Sequence, residues 1–141
     1  MLKPNNVVFK KTQNNKKKKD FSYQRSFDVK CFQKNIFLFS AESGVLTSKL
    51  LETGKLIIQK ILSKGSTGVV LLSTFPHVPI SHKAIGVRMG KGKGPVFFWG
   101  AKINSGQVIY EIRGVTDKRV LYRIHKALSY RLPFKLGFRI S

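Results

Sequence analysis

Acidic side chains are scarce in this chain. It contains only 6 Asp and Glu against 27 Lys and Arg, which gives a formal net charge of +21. Charge of one sign on this scale destabilises a compact state by self-repulsion, so it indicates a polyanionic partner. Nucleic acid is the leading candidate, because Lys and Arg that neutralise phosphates release condensed counterions. An anionic membrane surface is the rival class of partner.

Cysteine is almost absent, since Cys31 stands alone. One cysteine excludes an intramolecular disulfide and a cysteine-based zinc site. The sequence also lacks the apolar run of about 18 residues that a transmembrane helix needs. Its first residues lack the apolar core of a secretory signal.

Groups that could perform catalysis are few and scattered. The histidines are His77, His82 and His125, and the acidic residues form no local pair and no metal-ligand spacing. An active site needs titratable groups that converge. We therefore expect no enzyme, no metal site and no cofactor.

The most unusual stretch is residues 86–95, Gly-Val-Arg-Met-Gly-Lys-Gly-Lys-Gly-Pro. Glycine allows positive φ and close approach of the backbone to another surface, and lysine adds mobile positive charge. A P-loop would need Ser or Thr after Gly-Lys, whereas Lys93 is followed by Gly94 and Pro95. A dinucleotide fingerprint would open a helix, whereas a Phe-rich strand follows here. The pattern indicates a loop that approaches an anionic surface.

Composition and periodicity predict one α+β domain after a basic arm. We assign residues 1–24 to an extended, RNA-bound arm and residues 25–141 to a single domain with a projecting loop, 88–95. Helices are predicted over 46–64, with Thr47 as N-cap, and from 116 to the proline at 133. Strands are predicted over 27–40, 69–75, 84–89, 96–103, 107–112 and 134–140. The two helices are expected to pack on a mixed or antiparallel sheet.

Local patterns add four finer predictions. A turn is expected at 76–79, and the turn at 104–106 predicts a hairpin of its flanking strands, with Gly106 in the left-handed region. Alternation along 96–103 favours core packing of Phe97 and Trp99 over stacking on bases. The second helix is expected to bury one apolar face and to expose a basic one that includes Arg123.

RNA is favoured over DNA, because no recognition helix is obvious and loops and tails suit recognition of RNA shape and 2′-OH groups. Two other classes remain open. A free nucleic-acid-compacting or RNA-annealing protein would bind RNA and duplex DNA alike, and a basic membrane-active protein would bind vesicles.

The run 88–94, Arg-Met-Gly-Lys-Gly-Lys-Gly, followed by Trp99 and by 106–112, Gly-Gln-Val-Ile-Tyr-Glu-Ile, resembles the bacterial-type ribosomal protein L16 (uL16) family. The resemblance extends to the start of the chain, to the turn at 76–79 and to Leu132-Pro133-Phe134-Lys135. The first helix departs from it, because Leu-Leu-Glu-Thr-Gly-Lys at 50–55 stands where the family usually has arginines and alanines.

The resemblance implies an α/β-hammerhead fold and a structural role in the large ribosomal subunit, near the A site and the peptidyl transferase region. It implies large-subunit rRNA, A-site tRNA and neighbouring ribosomal proteins as partners, with no membrane and no homo-oligomer. Together with the charge pattern, it indicates RNA-binding residues and a tRNA-proximal loop. The RNA-binding residues are Lys3, Lys10, Lys11, Lys16, Lys17, Lys18, Lys19, Lys83, Arg88, Lys91, Lys93 and Arg123, and the loop residues are Met89, Gly90, Gly92 and Gly94.

Residue usage bears on the compartment. Lys, Phe, Ile and Asn are heavily used, and their codons are A/T-rich, as in many organellar genomes. Met1 resembles the mature start of the family, so no cleaved presequence is expected. We expect a protein of the mitochondrial ribosome in the matrix, with a plastid or the bacterial cytoplasm as alternatives.

Overall fold

The computed structural model describes residues 2–5, 8–12, 35–64, 68–90, 92–115 and 117–140. Within these ranges the chain forms seven strands and two helices. This architecture confirms the α+β class. The elements are β1 (Asn35–Ser40), β2 (Gly44–Thr47), α1 (Ser48–Leu62), β3 (Val69–Leu72), β4 (Val78–Ser81), β5 (Val96–Ile103), β6 (Val108–Arg113), α2 (Lys118–Ser129) and β7 (Leu136–Ile140).

The strands form two sheets, one ordered β3-β6-β1-β7 and one ordered β2-β5-β4. All ladders between these strands are antiparallel. The predicted hairpin of β5 and β6 is wrong, because the two strands belong to different sheets. The turn between them was predicted correctly, with Gly106 at a φ of 81°. This turn bonds to the end of β1, since Gly106 N donates to Ser40 O and Ser40 N donates to Gln107 O.

Helix α1 begins after Thr47, whose hydroxyl accepts a hydrogen bond from Leu50 N at 3.3 Å. This confirms the predicted N-cap. Gly54 lies on the buried face of the helix against Tyr110. The Tyr110 hydroxyl donates to Leu51 O at 3.0 Å, and burial raises the pKa of Tyr110, so the phenol remains a donor. The glycine therefore makes room for a buried hydrogen bond.

Helix α2 begins after Asp117, whose carboxylate accepts from Arg119 N at 2.8 Å. Its buried face packs against α1 and β7. His125 is half-buried, and its Nε2 lies 2.9 Å from Leu136 O, which joins the helix to β7. The helix ends at Ser129, before the predicted proline boundary. The buried residues of the helix are Val120, Leu121, Ile124 and Leu128.

Two local predictions need correction. The stretch 84–89 is a loop, because Val87 N bonds back to Ala84 O at 3.3 Å and Gly86 has a φ of 88°. The predicted turn at 76–79 ends early, since β4 begins at Val78. Pro79 is tolerated within β4 because that strand lies at the edge of its sheet.

The core lies between the helices and the four-stranded sheet, and Leu46, Ala101 and Ile103 extend it to the three-stranded sheet. In the described part of the chain, no helix has the length and apolar character needed to cross a membrane. The fully buried core residues include Ile36, Leu51, Ile58, Ile109, Tyr110, Ile112, Ile124 and Leu128.

Candidate nucleic-acid interface

The loop that joins β4 to β5, residues 82–95, is closed at its base. His82 N donates to Pro95 O at 3.3 Å. A Cβ added to Gly94 would lie 2.4 Å from His82 O and 3.0 Å from Lys83 N. Only glycine allows the two limbs of the loop to approach this closely. The base therefore joins the two limbs of the loop where they leave β4 and enter β5.

Beyond the base, glycines set the course of the loop. Gly86, Gly90 and Gly92 have φ values of 88°, 98° and 76°. An added Cβ at these positions would meet no atom within 4 Å among the residues that the structure describes. Backbone conformation, and not packing against the described residues, is thus what requires glycine there. Met89 is 100% exposed at this part of the loop.

Two lysines of the loop bond to backbone carbonyl groups. Lys83 Nζ donates to Gly90 O at 2.5 Å, and Lys93 Nζ donates to Lys11 O at 2.5 Å. These two side chains brace the loop, and each ammonium has further donors. Arg88 is exposed on the loop. Lys91 lies outside the described residues.

Part of the N-terminal arm adds to the three-stranded sheet that carries the loop. Thr12 N donates to Pro79 O at 3.0 Å and Ser81 N donates to Thr12 O at 2.8 Å, which extends the edge of β4. The rings of Phe9 and Trp99 make an edge-to-face contact, with centroids 4.9 Å apart. Lys10 and Lys11, both exposed, are therefore held beside the loop. An aromatic residue, Phe9, next to the lysines of a basic arm was the signal in the sequence for this contact.

Phe97 corrects an expectation about the core. Its side chain is 73% exposed, whereas core packing was predicted. It lies beside His82, with ring centroids 5.8 Å apart, and beside Phe98 at 5.9 Å. Trp99 is half-buried, and the predicted inward alternation holds only for Ala101 and Ile103. The first half of β5 adjoins the loop instead of the core. The alternation of residues along this half of the strand therefore does not predict which side chains are buried.

The structure brings together some of the predicted RNA-binding residues and separates others. Lys10, Lys11, Lys83, Arg88 and Lys93 lie on the three-stranded sheet, its added arm and its loop. Lys3 follows Leu2, whose N donates to Glu52 Oε1 of α1 at 2.6 Å. Arg123 is exposed on α2. Lys16, Lys17, Lys18, Lys19 and the predicted arm boundary at 24 lie outside the described residues.

The loop and its supporting strands have no negative side chain. The sequence contains no Asp or Glu between Glu52 and Glu111, a stretch that covers β3, β4, the loop and β5. In the described ranges, no group of three or more His, Cys, Asp or Glu could hold a metal ion. The arrangement suits the binding of phosphates by a cationic loop. A basic α+β protein with an exposed cationic loop between β4 and β5 is the class that the described residues define.

Comparison with known proteins identifies the family. The model of the family "Ribosomal protein L16p/L10e" matches residues 4–139. A large ribosomal subunit protein uL16 of Leptospira biflexa is 34% identical over 139 residues, which cover 98% of this chain and 96% of that protein. The uL16 of Psychrobacter arcticus is 36% identical over 100 residues, 71% of each chain. The uL16c of Stigeoclonium helveticum is 35% identical over 98 residues, 70% of each chain.

The chain therefore belongs to the ribosomal protein L16p/L10e family.

Proposed function

We propose that this chain is a structural constituent of the large ribosomal subunit, which binds large-subunit rRNA near the A site and the peptidyl transferase region and supports the positioning of A-site tRNA. Family membership supports the ribosomal role. The observation that carries the finer proposal is the exposed loop with its closed base and positive-φ glycines.

In the proposed mechanism the loop acts without catalysis. Glycines without Cβ let its backbone approach folded RNA closely. Arg88 donates paired hydrogen bonds to phosphate oxygens, a geometry that guanidinium groups favour. Lys83 and Lys93 hold the loop in shape through Gly90 O and Lys11 O and direct their remaining donors to phosphate. The RNA-binding role of Lys16, Lys17, Lys18, Lys19 and Lys91 stays part of the proposal on charge alone.

The compartment is a further part of the proposal. We assign the chain to a mitochondrial ribosome because its residue usage is of the A/T-rich type. Plastid and bacterial ribosomes remain the alternatives, and the bacterial relatives favour neither organelle. Immunodetection in purified organelles with a plastid marker and a mitochondrial marker separates the three.

Incorporation of the tagged chain into large subunits tests the proposed function. The chain should co-sediment with the large subunit at moderate salt, and Arg88→Ala should weaken A-site tRNA binding more than it weakens incorporation. Lys60→Ala, at an exposed lysine of α1, serves as the matched control. Recovery of the wild-type chain only as free protein would refute the ribosomal role. Equal binding of RNA and duplex DNA by that free protein would support the RNA-annealing alternative.

A further inference from the structure

The outer face of α2 combines cations with exposed aromatic rings. Tyr122 and Tyr130 are 66% and 78% exposed. Residues four apart on a helix lie close to one face, so every fourth residue from Lys118 to the C-cap Tyr130 forms one row along α2. This row alternates lysine and tyrosine, and two arginines form the adjacent row. The six exposed residues are Lys118, Arg119, Tyr122, Arg123, Lys126 and Tyr130.

Apart from the N-cap Asp117 and from Lys126 in the last turn, the charged residues of this face oppose the stability of the helix. The N-cap Asp117 is an acidic residue at the positive end of the helix dipole, and the first turn itself adds none. Lys118 and Arg119 occupy that turn instead. Arg119 and Arg123 are four residues apart, a spacing at which like charges repel. No acidic residue occurs from 118 to 129. An anionic partner at this face explains a charge pattern that the fold itself disfavours.

The two tyrosines narrow the class of partner. A surface that binds only phosphates needs no exposed rings, whereas unpaired bases stack on aromatic side chains. The rings are eight residues apart, which corresponds to about 12 Å along the helix. This separation is too large for both rings to stack on one base, so the two rings would need two different nucleotides.

We propose that the outer face of α2 is a second RNA-binding surface, which takes unpaired nucleotides. Tyr122 and Tyr130 stack on two bases, and the four cations beside them bind the flanking phosphates. The inference rests on the proposed role in the ribosome and extends it to a face distinct from the loop. The loop is attached to β4 and β5, whereas α2 packs against α1 and β7.

Binding of two RNA probes by the full chain tests the inference. One probe is a 12-nucleotide unpaired oligoadenylate and the other is a blunt RNA duplex of the same length. Replacing one stacking aromatic costs about 1 kcal/mol or more per base, which is about fivefold in affinity. Tyr122→Leu with Tyr130→Leu should therefore lower the affinity for the unpaired probe by about 25-fold. The slope of log K against log salt should stay unchanged, because no charge is lost.

Three controls accompany the double variant. Tyr122→Phe with Tyr130→Phe keeps the rings and should bind as the wild type does. Phe75→Leu changes an exposed aromatic outside α2 and should also leave binding unchanged. Arg123→Ala should weaken the binding of both probes and reduce the salt slope by about one. Thermal unfolding of each variant verifies that the helix still folds.

Two results would overturn the inference. One is an unchanged affinity of the folded double Leu variant (Tyr122→Leu with Tyr130→Leu) for the unpaired probe. This includes the case in which the variant binds RNA normally but no longer binds a neighbouring ribosomal protein, which would assign the face to a protein partner. The other is an equal loss of affinity for both probes. Large-subunit incorporation of the wild-type chain is measured in parallel. Failure to incorporate refutes the proposed function, whereas normal incorporation with full RNA affinity of the Leu variant refutes only the role of α2.

Discussion

At the residue scale, Gly54 shows how a buried contact reverses a general preference. Alanine in a helix interior is normally more stable than glycine by about 1 kcal/mol. Here a Cβ at position 54 would lie 2.2 Å from Tyr110 Oη and 2.9 Å from its ring. Tyr110 is fully buried and its hydroxyl is bonded to Leu51 O, so it has little room to move.

We expect Gly54→Ala to lower the free energy of unfolding by about 1–3 kcal/mol, the usual cost of overpacking a core. Urea denaturation measures the change. Tyr110→Phe removes the obstructing oxygen, so the double variant should lose less than the sum of the two single losses. An increase in stability on Gly54→Ala would show that the helix and the tyrosine are not in contact.

Gly92 is a residue at which the backbone, and not space, requires glycine. Its φ is 76°, and asparagine tolerates this left-handed region better than a β-branched residue does. We expect Gly92→Val to weaken large-subunit incorporation more than Gly92→Asn does. Because the loop is exposed, both variants should unfold within a few degrees of the wild-type chain. Equal incorporation of the two variants would remove the conformational argument.

At the element scale, the helices were predictable and much of the strand pairing was not. Thr47 and the spacing of Leu51, Ile58 and Leu62 are local signals, and the structure confirms both. Pairing partners are less local: β5 and β6 flank a hairpin-type turn, yet they do not pair with each other. Strand β5 pairs with β4 across the loop 82–95 and with the distant β2, and β6 pairs with β1 and β3. Whether a residue in the first half of β5 is buried depends on which part of the chain packs against that face. The alternation of apolar and polar residues along the strand carries no information about this.

The candidate site was also predictable only in part. The glycine-lysine composition of the loop was visible in the sequence, because residue type alone determines charge and backbone freedom. The bracing of the loop was not, since Lys93 bonds to Lys11 across a long stretch of chain. The strand predicted over 84–89 was wrong because positive φ at Gly86 interrupts an otherwise apolar run.

Docking of the N-terminal arm on the sheet gives a prediction at this scale. The chain has one tryptophan, Trp99, so its fluorescence reports the contact with Phe9 directly. Phe9→Ala should shift Trp99 emission to longer wavelength and increase its quenching by acrylamide, with little change in global stability. Phe75→Ala is the matched control at another exposed phenylalanine. An unchanged spectrum of Phe9→Ala would mean that the arm does not cover the tryptophan in solution.

At the scale of the whole molecule, the net charge of +21 dominates. Within the described residues, Arg113 and Glu111 form a salt bridge at 2.7 Å, but most cations have no acid to offset them. Screening should therefore stabilise the isolated protein while it weakens RNA binding. We expect the melting temperature to rise by several degrees between 50 mM and 500 mM NaCl, as RNA affinity falls. A melting temperature that falls with salt would contradict dominant self-repulsion.

The central claim is that the loop contacts RNA at the functional centre of the large subunit. Met89 is fully exposed on that loop, so a photo-crosslinking amino acid at position 89 reports what the loop touches in assembled ribosomes. We predict crosslinks to large-subunit rRNA of the peptidyl transferase region and to A-site tRNA. The same amino acid at position 60 on α1 is expected to give neither. Crosslinks from position 89 to proteins alone, or to rRNA remote from the A site, would contradict the claim.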